Sequence, residues 1–346
     1  GFWFYDEQQF DKMGRYALGM KVYFQERDVE PSDQGDIGYF DLHDGFKWTK
    51  IGETTAWNWQ QGCRLQWRPS SEEILWNDRS ENGTHFICRA YNFKTGESRI
   101  LPRPIYYVSD DGSMALTHDF ARMKHAGTLY TGIPDPYEDL QSPKSSGIER
   151  MDLESGETEF LISLDKMAEI AFPQGYTGET NLYFFREGWN PSGTRLITFI
   201  KDPENSLFEG YSMTADGTDV RYFSHNPSHH AWLDDEYIFD FGYHKPPGGG
   251  EALRGYFLFK DDGTGVAKEL LWPVKVDDGY GGDGHGSFVP GTGNDWIISD
   301  TYSIHGFQYL FMFHRPSRLF VPLAKLKCSR RMDIGDGAHG STCIQG

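Results

Sequence analysis

Three histidines stand at matching places in a repeated pattern: His230 in His229-His230-Ala-Trp, His285 in Gly284-His285-Gly-Ser and His339 in Ala338-His339-Gly-Ser. Neutral imidazoles that face one point and leave positions open suit a divalent transition ion such as Mn²⁺ or Zn²⁺. A lone histidine more often caps a loop or bonds within its own element. Three at equivalent repeat positions point instead to a metal or to proton transfer. Neighbours on a strand face opposite ways, so His229 competes with His230 for the role.

A second group of side chains suits a sugar. The stretch Trp57-Asn58-Trp59-Gln60-Gln61-Gly62-Cys63-Arg64-Leu65-Gln66-Trp67 is dense in amides and indoles. Flat apolar rings cover a pyranose face, and amides make forked bonds to its hydroxyls. Trp67 reads as packing, whereas Gln60, Gln61 and Arg64 have no evident core role and are candidates for substrate binding. Arg103, Arg122 and Arg186 join Arg64 as guanidinium groups that hold a carboxylate by bidentate pairing. Hydrolysis by paired carboxylates drawn from Asp119, Asp283 and Asp300 has little support, because turn roles explain them. Tyr243 and His244 are outlying candidates, and Gly248–Gly250 is a loop with no phosphate-cradle context.

The composition shows what must hold these residues. The 346 residues carry Lys+Arg 33 against Asp+Glu 51, a formal charge of −18, with Phe 25, Tyr 19, Trp 10 and Gly 40. Such a composition, with a mean hydropathy of −0.60, describes a turn-rich β protein, expected to be soluble and either cytoplasmic or periplasmic. The acidic balance argues against nucleic acid as a partner, and no run approaches the ~18 apolar residues of a membrane helix. No positively charged leader precedes an apolar run at Gly1-Phe2-Trp3-Phe4-Tyr5. Cys63, Cys88, Cys328 and Cys343 are too scattered for a disulfide scaffold or a Cys-x-x-Cys zinc site.

An internal repeat organises the chain. One element is an apolar stretch, a polar turn and another apolar stretch, as in Tyr107-Val-Ser-Asp-Asp-Gly-Ser-Met-Ala-Leu and Trp189-Asn-Pro-Ser-Gly-Thr-Arg-Leu-Ile. A second follows it, with a glycine turn, as in Tyr91-Asn-Phe-Lys-Thr-Gly-Glu-Ser-Arg-Ile-Leu. Each pair makes four antiparallel strands, one blade of a β-propeller. Six blades are complete, and Asp336-Gly-Ala-His-Gly-Ser, similar to Asp283-Gly-His-Gly-Ser, opens a seventh from about Arg331. The expected fold is therefore all-β, a seven-bladed propeller over 1–346 as a single domain, its seventh blade incomplete. A long insertion at about 120–146 reads as a rim loop.

With these blades and histidines the chain resembles the TolB-like propellers and, within them, the oligogalacturonate lyases. The turns Asn190-Pro-Ser-Gly-Thr-Arg and Ser109-Asp-Asp-Gly-Ser carry the fold part of the likeness, and the later histidines the more specific part. The resemblance implies a metal-assisted lyase that cleaves uronate-containing oligosaccharides by β-elimination. It implies a divalent ion, Mn²⁺ before Zn²⁺ or Ca²⁺, held by His285 and His339, with His230 as ligand or catalyst. It pairs Arg186 with His230 for catalysis on an acidic oligosaccharide. The family's Gln-x-x-His-x-His cluster is not seen around His339. The rival reading is a non-catalytic propeller that binds a glycan or a protein.

Overall fold

The short apolar runs between Asp-, Gly- and Ser-rich turns become antiparallel hairpins. The computed structural model describes residues 7–25, 27–123, 129–204, 207–274, 282–304 and 306–327. Its strands form six sheets in chain order. Blade 1 has three strands, Tyr16–Lys21, Gly35–Asp41 and Lys47–Thr54. Blade 2 has four, Gln66–Trp67, Glu73–Arg79, Phe86–Asn92 and Ser98–Leu101. Blade 3 comprises Tyr107–Val108, Met114–Thr117, Gly147–Asp152 and Thr158–Ser163, followed by a helix at Leu164–Ala171. Blade 4 comprises Tyr183–Trp189, Arg195–Asp202, Leu207–Thr214 and Arg221–His225. Blade 5 comprises His230–Trp232, Tyr237–His244, Leu253–Lys260 and Ala267–Pro273. Blade 6 comprises Ser287–Phe288, Trp296–Ser299, Phe307–His314 and Leu319–Lys327.

These sheets are the blades of an all-β propeller, and among the described residues the expected seven are corrected to six. Each pair of hairpin elements read from the sequence is used up by one sheet, which leaves no pair for a seventh. The tail from Arg331 lies outside the described residues. Blade 1 also falls one strand short, because its first element contributes only an isolated bridge between Phe10 and Ala17. The described residues fall into two compact units, 7–187 with 202–204, and 188–201 with 207–327. None of the described helices is long and apolar enough to cross a membrane.

Burial explains why the strands look as they do. The first two strands of blade 4, Tyr183–Trp189 and Arg195–Asp202, are buried at every residue, while Leu319–Lys327, the last strand of blade 6, is largely exposed. In the first unit Trp57, Trp67 and Trp76 pack with Leu18, Met20 and Ile37, so Trp67 is a packing residue. In the second, Trp272 gathers Tyr256 at 4.4 Å and Phe313 at 4.5 Å between ring centroids. The turn Ser109-Asp-Asp-Gly-Ser shows the glycine requirement: Gly112 has φ 73, and a Cβ there would lie 2.0 Å from the carbonyl oxygen of Pro69. Cys63 and Cys88 are buried free thiols, both pushed toward the protonated form by burial.

The insertion expected at the rim is fastened from within. Arg122 ends a short 3₁₀ turn, Phe120–Arg122, and is 1% exposed. Its guanidinium donates to the carbonyls of Leu182 at 2.7 Å, Gln141 at 2.7 Å and Tyr137 at 3.1 Å, and to Leu140. The side chain of Asp135, equally buried, is the fifth acceptor, at 2.9 Å from Nη1. Removing one member of such a pair leaves the other charge buried without compensation. Asp135→Ala is therefore expected to cost about 3 kcal/mol in urea unfolding. A change within 0.5 kcal/mol would show that the carbonyls alone hold the arginine.

Candidate functional site

In the second unit the residues just before the first strands of blades 5 and 6 come together. His229 and His285 meet with ring centroids 4.6 Å apart, nearly edge to face. Each imidazole is held by a carboxylate at Nδ1: His229 by Asp283 Oδ1 at 2.7 Å, His285 by Asp300 at 2.9 and 3.1 Å. Asp283 also accepts from Ser228 Oγ at 2.9 Å. Asp300 accepts from the His285 amide at 2.7 Å and from Gln308 Nε2 at 3.0 Å. A carboxylate at Nδ1 places the proton there and leaves Nε2 as the acceptor or ligand atom.

Backbone constraints set this geometry. Tyr256, fully buried, uses its hydroxyl to accept from the Gly284 amide at 2.9 Å and donate to the Gly284 carbonyl at 3.1 Å. A Cβ on Gly284 would lie 2.0 Å from the Asp300 carbonyl, so only glycine permits the approach that brings His285 onto Asp300. Tyr302 donates its amide to the Asp283 carbonyl at 2.9 Å. Its ring, 37% exposed, lies 5.8 Å from that of His229 and 5.7 Å from that of His285, with its hydroxyl 3.5 Å from His229 Nε2.

The histidine that meets His285 is thus His229. The ring of His230 packs edge-on against Phe199 at 4.8 Å, and its backbone pairs with Asp240. Asp240, fully buried, accepts from Ser224 Oγ at 2.9 Å and lies 3.5 Å from His244; burial pushes its carboxyl pKa up. Tyr243 is exposed. His339 lies outside the described residues. As ligands, His229 and His285 offer two imidazoles of the right chemistry. Among the described residues no group of three or more His, Cys, Asp or Glu side chains comes together to hold an ion.

In the first unit three of the expected site residues meet at one tyrosine. Tyr106 is fully buried, and its hydroxyl accepts from Gln61 Nε2 at 2.8 Å and from the Arg186 amide at 3.2 Å. Arg64, 1% exposed, donates Nε to the Tyr106 carbonyl at 2.8 Å, lies over its ring at 4.4 Å and pairs with Glu7 at 3.1 Å. Asn58 Oδ1 accepts from the amides of Gln60 at 3.1 Å and Gln61 at 2.7 Å, closing the turn that presents them. Beside Tyr106, His118 Nδ1 meets Glu187 at 2.9 Å, both side chains buried. Arg103 lies apart, in an exposed pair with Glu149 at 3.0 Å, and Arg122 serves the insertion.

Residue types and spacing gave no sign of Tyr106, the His118–Glu187 pair or Tyr302. The one local signal was polarity at the ends of otherwise apolar inner strands, as in Thr117-His118-Asp119 after Met114–Thr117.

The fold and these geometries define a β-propeller with polar clusters at the ends of its inner strands. No family model matches the chain, and no curated protein does. Solved structures do. An oligogalacturonate lyase from Vibrio parahaemolyticus is 10% identical with a TM-score of 0.58, covering 94% of this chain and 78% of its own. An oligogalacturonate lyase in complex with manganese is 12% identical with a TM-score of 0.59, covering 94% and 77%. TolB from Acinetobacter baumannii is 13% identical with a TM-score of 0.45; 87% of this chain is covered, which spans 63% of that one. The resemblance to the oligogalacturonate lyases holds at the level of the fold.

Asp119 offers a pH test of the first unit. Burial, and then Asp135, raise its carboxyl pKa. A raised folded pKa contributes stability below the ordinary carboxylate range and loses it as pH rises through the folded value. Asp119→Asn is expected to melt above the wild type at pH 7, with the gap closing near pH 4. A gap that is constant with pH would show that Asp119 ionises as freely in the folded chain as in the unfolded one.

Proposed function

We propose that this protein is a lyase that cleaves uronate-containing oligosaccharides by β-elimination, assisted by a divalent metal. The observation that carries this reading is the pair of facing imidazoles, His229 and His285, each fixed at Nδ1 by a carboxylate. That arrangement is what histidines need to act through Nε2 with a set tautomer and a locked ring. The fold likeness adds weight, since two similar structures are named as oligogalacturonate lyases and one holds manganese.

In β-elimination the C5–H bond breaks, its electron pair becomes the C4=C5 double bond, and the C4–O bond breaks with a proton going to the leaving oxygen. A carboxylate beside C5 opposes this unless its charge is neutralised. A bound divalent ion supplies that neutralisation. His229 and His285 would hold it through imidazole nitrogens. Asp283 and Asp300 would keep those rings aimed and raise their basicity. A guanidinium, the part expected of Arg186, suits a uronate carboxylate, and an imidazole suits proton transfer at neutral pH better than a guanidinium does.

The test joins metal analysis of the purified protein to ultraviolet detection of the conjugated 4,5-unsaturated product. The panel contains oligogalacturonates, oligoglucuronates and alginate oligomers. The wild type is expected to carry a transition ion and form the product. His285→Ala should lose the ion and cut kcat at least ~100-fold, and Asp300→Asn should weaken metal affinity ~10–100-fold. No ion and no product on the whole panel would overturn the lyase in favour of a propeller that only binds a glycan or a protein.

A further inference from the structure

Among the described non-glycine residues with left-handed backbones, the buried ones are two arginines, Arg64 at φ 56 and Arg186 at φ 59. An arginine gains nothing from that conformation, because its Cβ crowds the following carbonyl; Gly or Asn is the ordinary choice. A strained residue persists only where its surroundings over-determine it, and such places gather at functional sites. Both arginines are tied to the same residue. Tyr106 takes the Arg64 guanidinium on its carbonyl at 2.8 Å and the Arg186 amide on its hydroxyl at 3.2 Å. The hydroxyl also takes Gln61 Nε2 at 2.8 Å.

The other side of Arg186 is secured as well. The next residue, Glu187, is fully buried at its side chain and meets His118 Nδ1 at 2.9 Å. The His118 ring lies 4.8 Å from that of Tyr106, so the two tethers support each other. Arg186 sits inside the strand Tyr183–Trp189, where a left-handed residue interrupts the alternation of side chains and re-aims its own.

We infer that Tyr106 is a positioning residue: through its hydroxyl it holds Arg186 in the left-handed conformation that presents the guanidinium for reaction, with the His118–Glu187 pair as the second tether. The inference rests on the reading of Arg186 as a catalytic residue of a uronate lyase. No proton or electron changes place at Tyr106; the residue acts through geometry alone.

The first measurement needs no substrate. Arg186→Gly and Arg186→Ala both remove the side chain and differ in backbone preference. The glycine variant is expected to melt above the alanine variant by about 2 °C, the reverse of the order at an ordinary strand position. Tyr106→Phe should speed hydrogen exchange at the Arg186 amide at least ~10-fold, because that amide loses its acceptor. Alanine melting at or above glycine, or unchanged exchange, overturns the inference whatever the activity. The second measurement uses the oligogalacturonate assay on the full chain. Tyr106→Phe should lower kcat ~10-fold or more with KM within about twofold, a split that a general loss of stability does not produce. An unchanged kcat overturns the positioning role and leaves the lyase standing. A wild type inactive on the whole panel overturns the lyase, and with it the purpose assigned to Tyr106, even where exchange and melting show the tether.

Discussion

Much of the inner-strand surface in these blades is buried, and a polar side chain buried there is satisfied only by a partner that the packing brings to it. A buried amide, imidazole or guanidinium left alone costs more than its bond returns. Within the first unit Thr54 Oγ1 of blade 1 donates to the Asn77 carbonyl of blade 2 at 2.6 Å. Asn77 then exchanges two 2.7 Å bonds with Ile105, just ahead of blade 3. Within the second unit His229 ahead of blade 5 reaches Asp283 ahead of blade 6, and Tyr256 of blade 5 grips Gly284. The same bonds hold neighbouring blades in register and orient the side chains that have chemistry to offer.

Because one set of contacts serves both ends, the polar clusters are built before any ligand arrives. Asp300 fixes the orientation of His285 by binding its amide and its ring together. Tyr106 does the equivalent for Gln61 and Arg64. Preorganised dipoles need no reorientation when charge develops, which is where electrostatic catalysis gains most. The overall charge of −18 sets a repulsive long-range background for any anionic ligand.

Much of the architecture was legible because it is local. Two hairpin elements per blade, Gly112 in its turn, Trp67 as packing and the insertion after Phe120 all follow from residue types a few positions apart. What failed depends on parity or distance. His229 and His230 are one step apart, and a strand sends neighbours to opposite faces, so spacing alone did not choose between them. Asp283 and Asp300 had ordinary turn explanations until each was seen on its imidazole. Gln61, Arg64 and Arg186 meet through Tyr106 across 45, 42 and 80 positions, a link with no local signature. The seventh blade was expected from one short similarity in the tail from about Arg331, which lies outside the described residues.

The grip of Arg122 on the insertion bears on how the chain comes apart. Its acceptors lie at 135, 137, 140, 141 and 182, so they include a residue beyond the helix that follows blade 3. The described segment held this way, 129–146, is expected to open together with the blade rather than separately. In hydrogen-exchange terms it belongs to the blade's foldon, although its composition of Pro, Gly and Ser reads as a surface excursion. For a protease the described part of the insertion, 129–146, is a long loop by sequence that the grip of Arg122 ties to the blade.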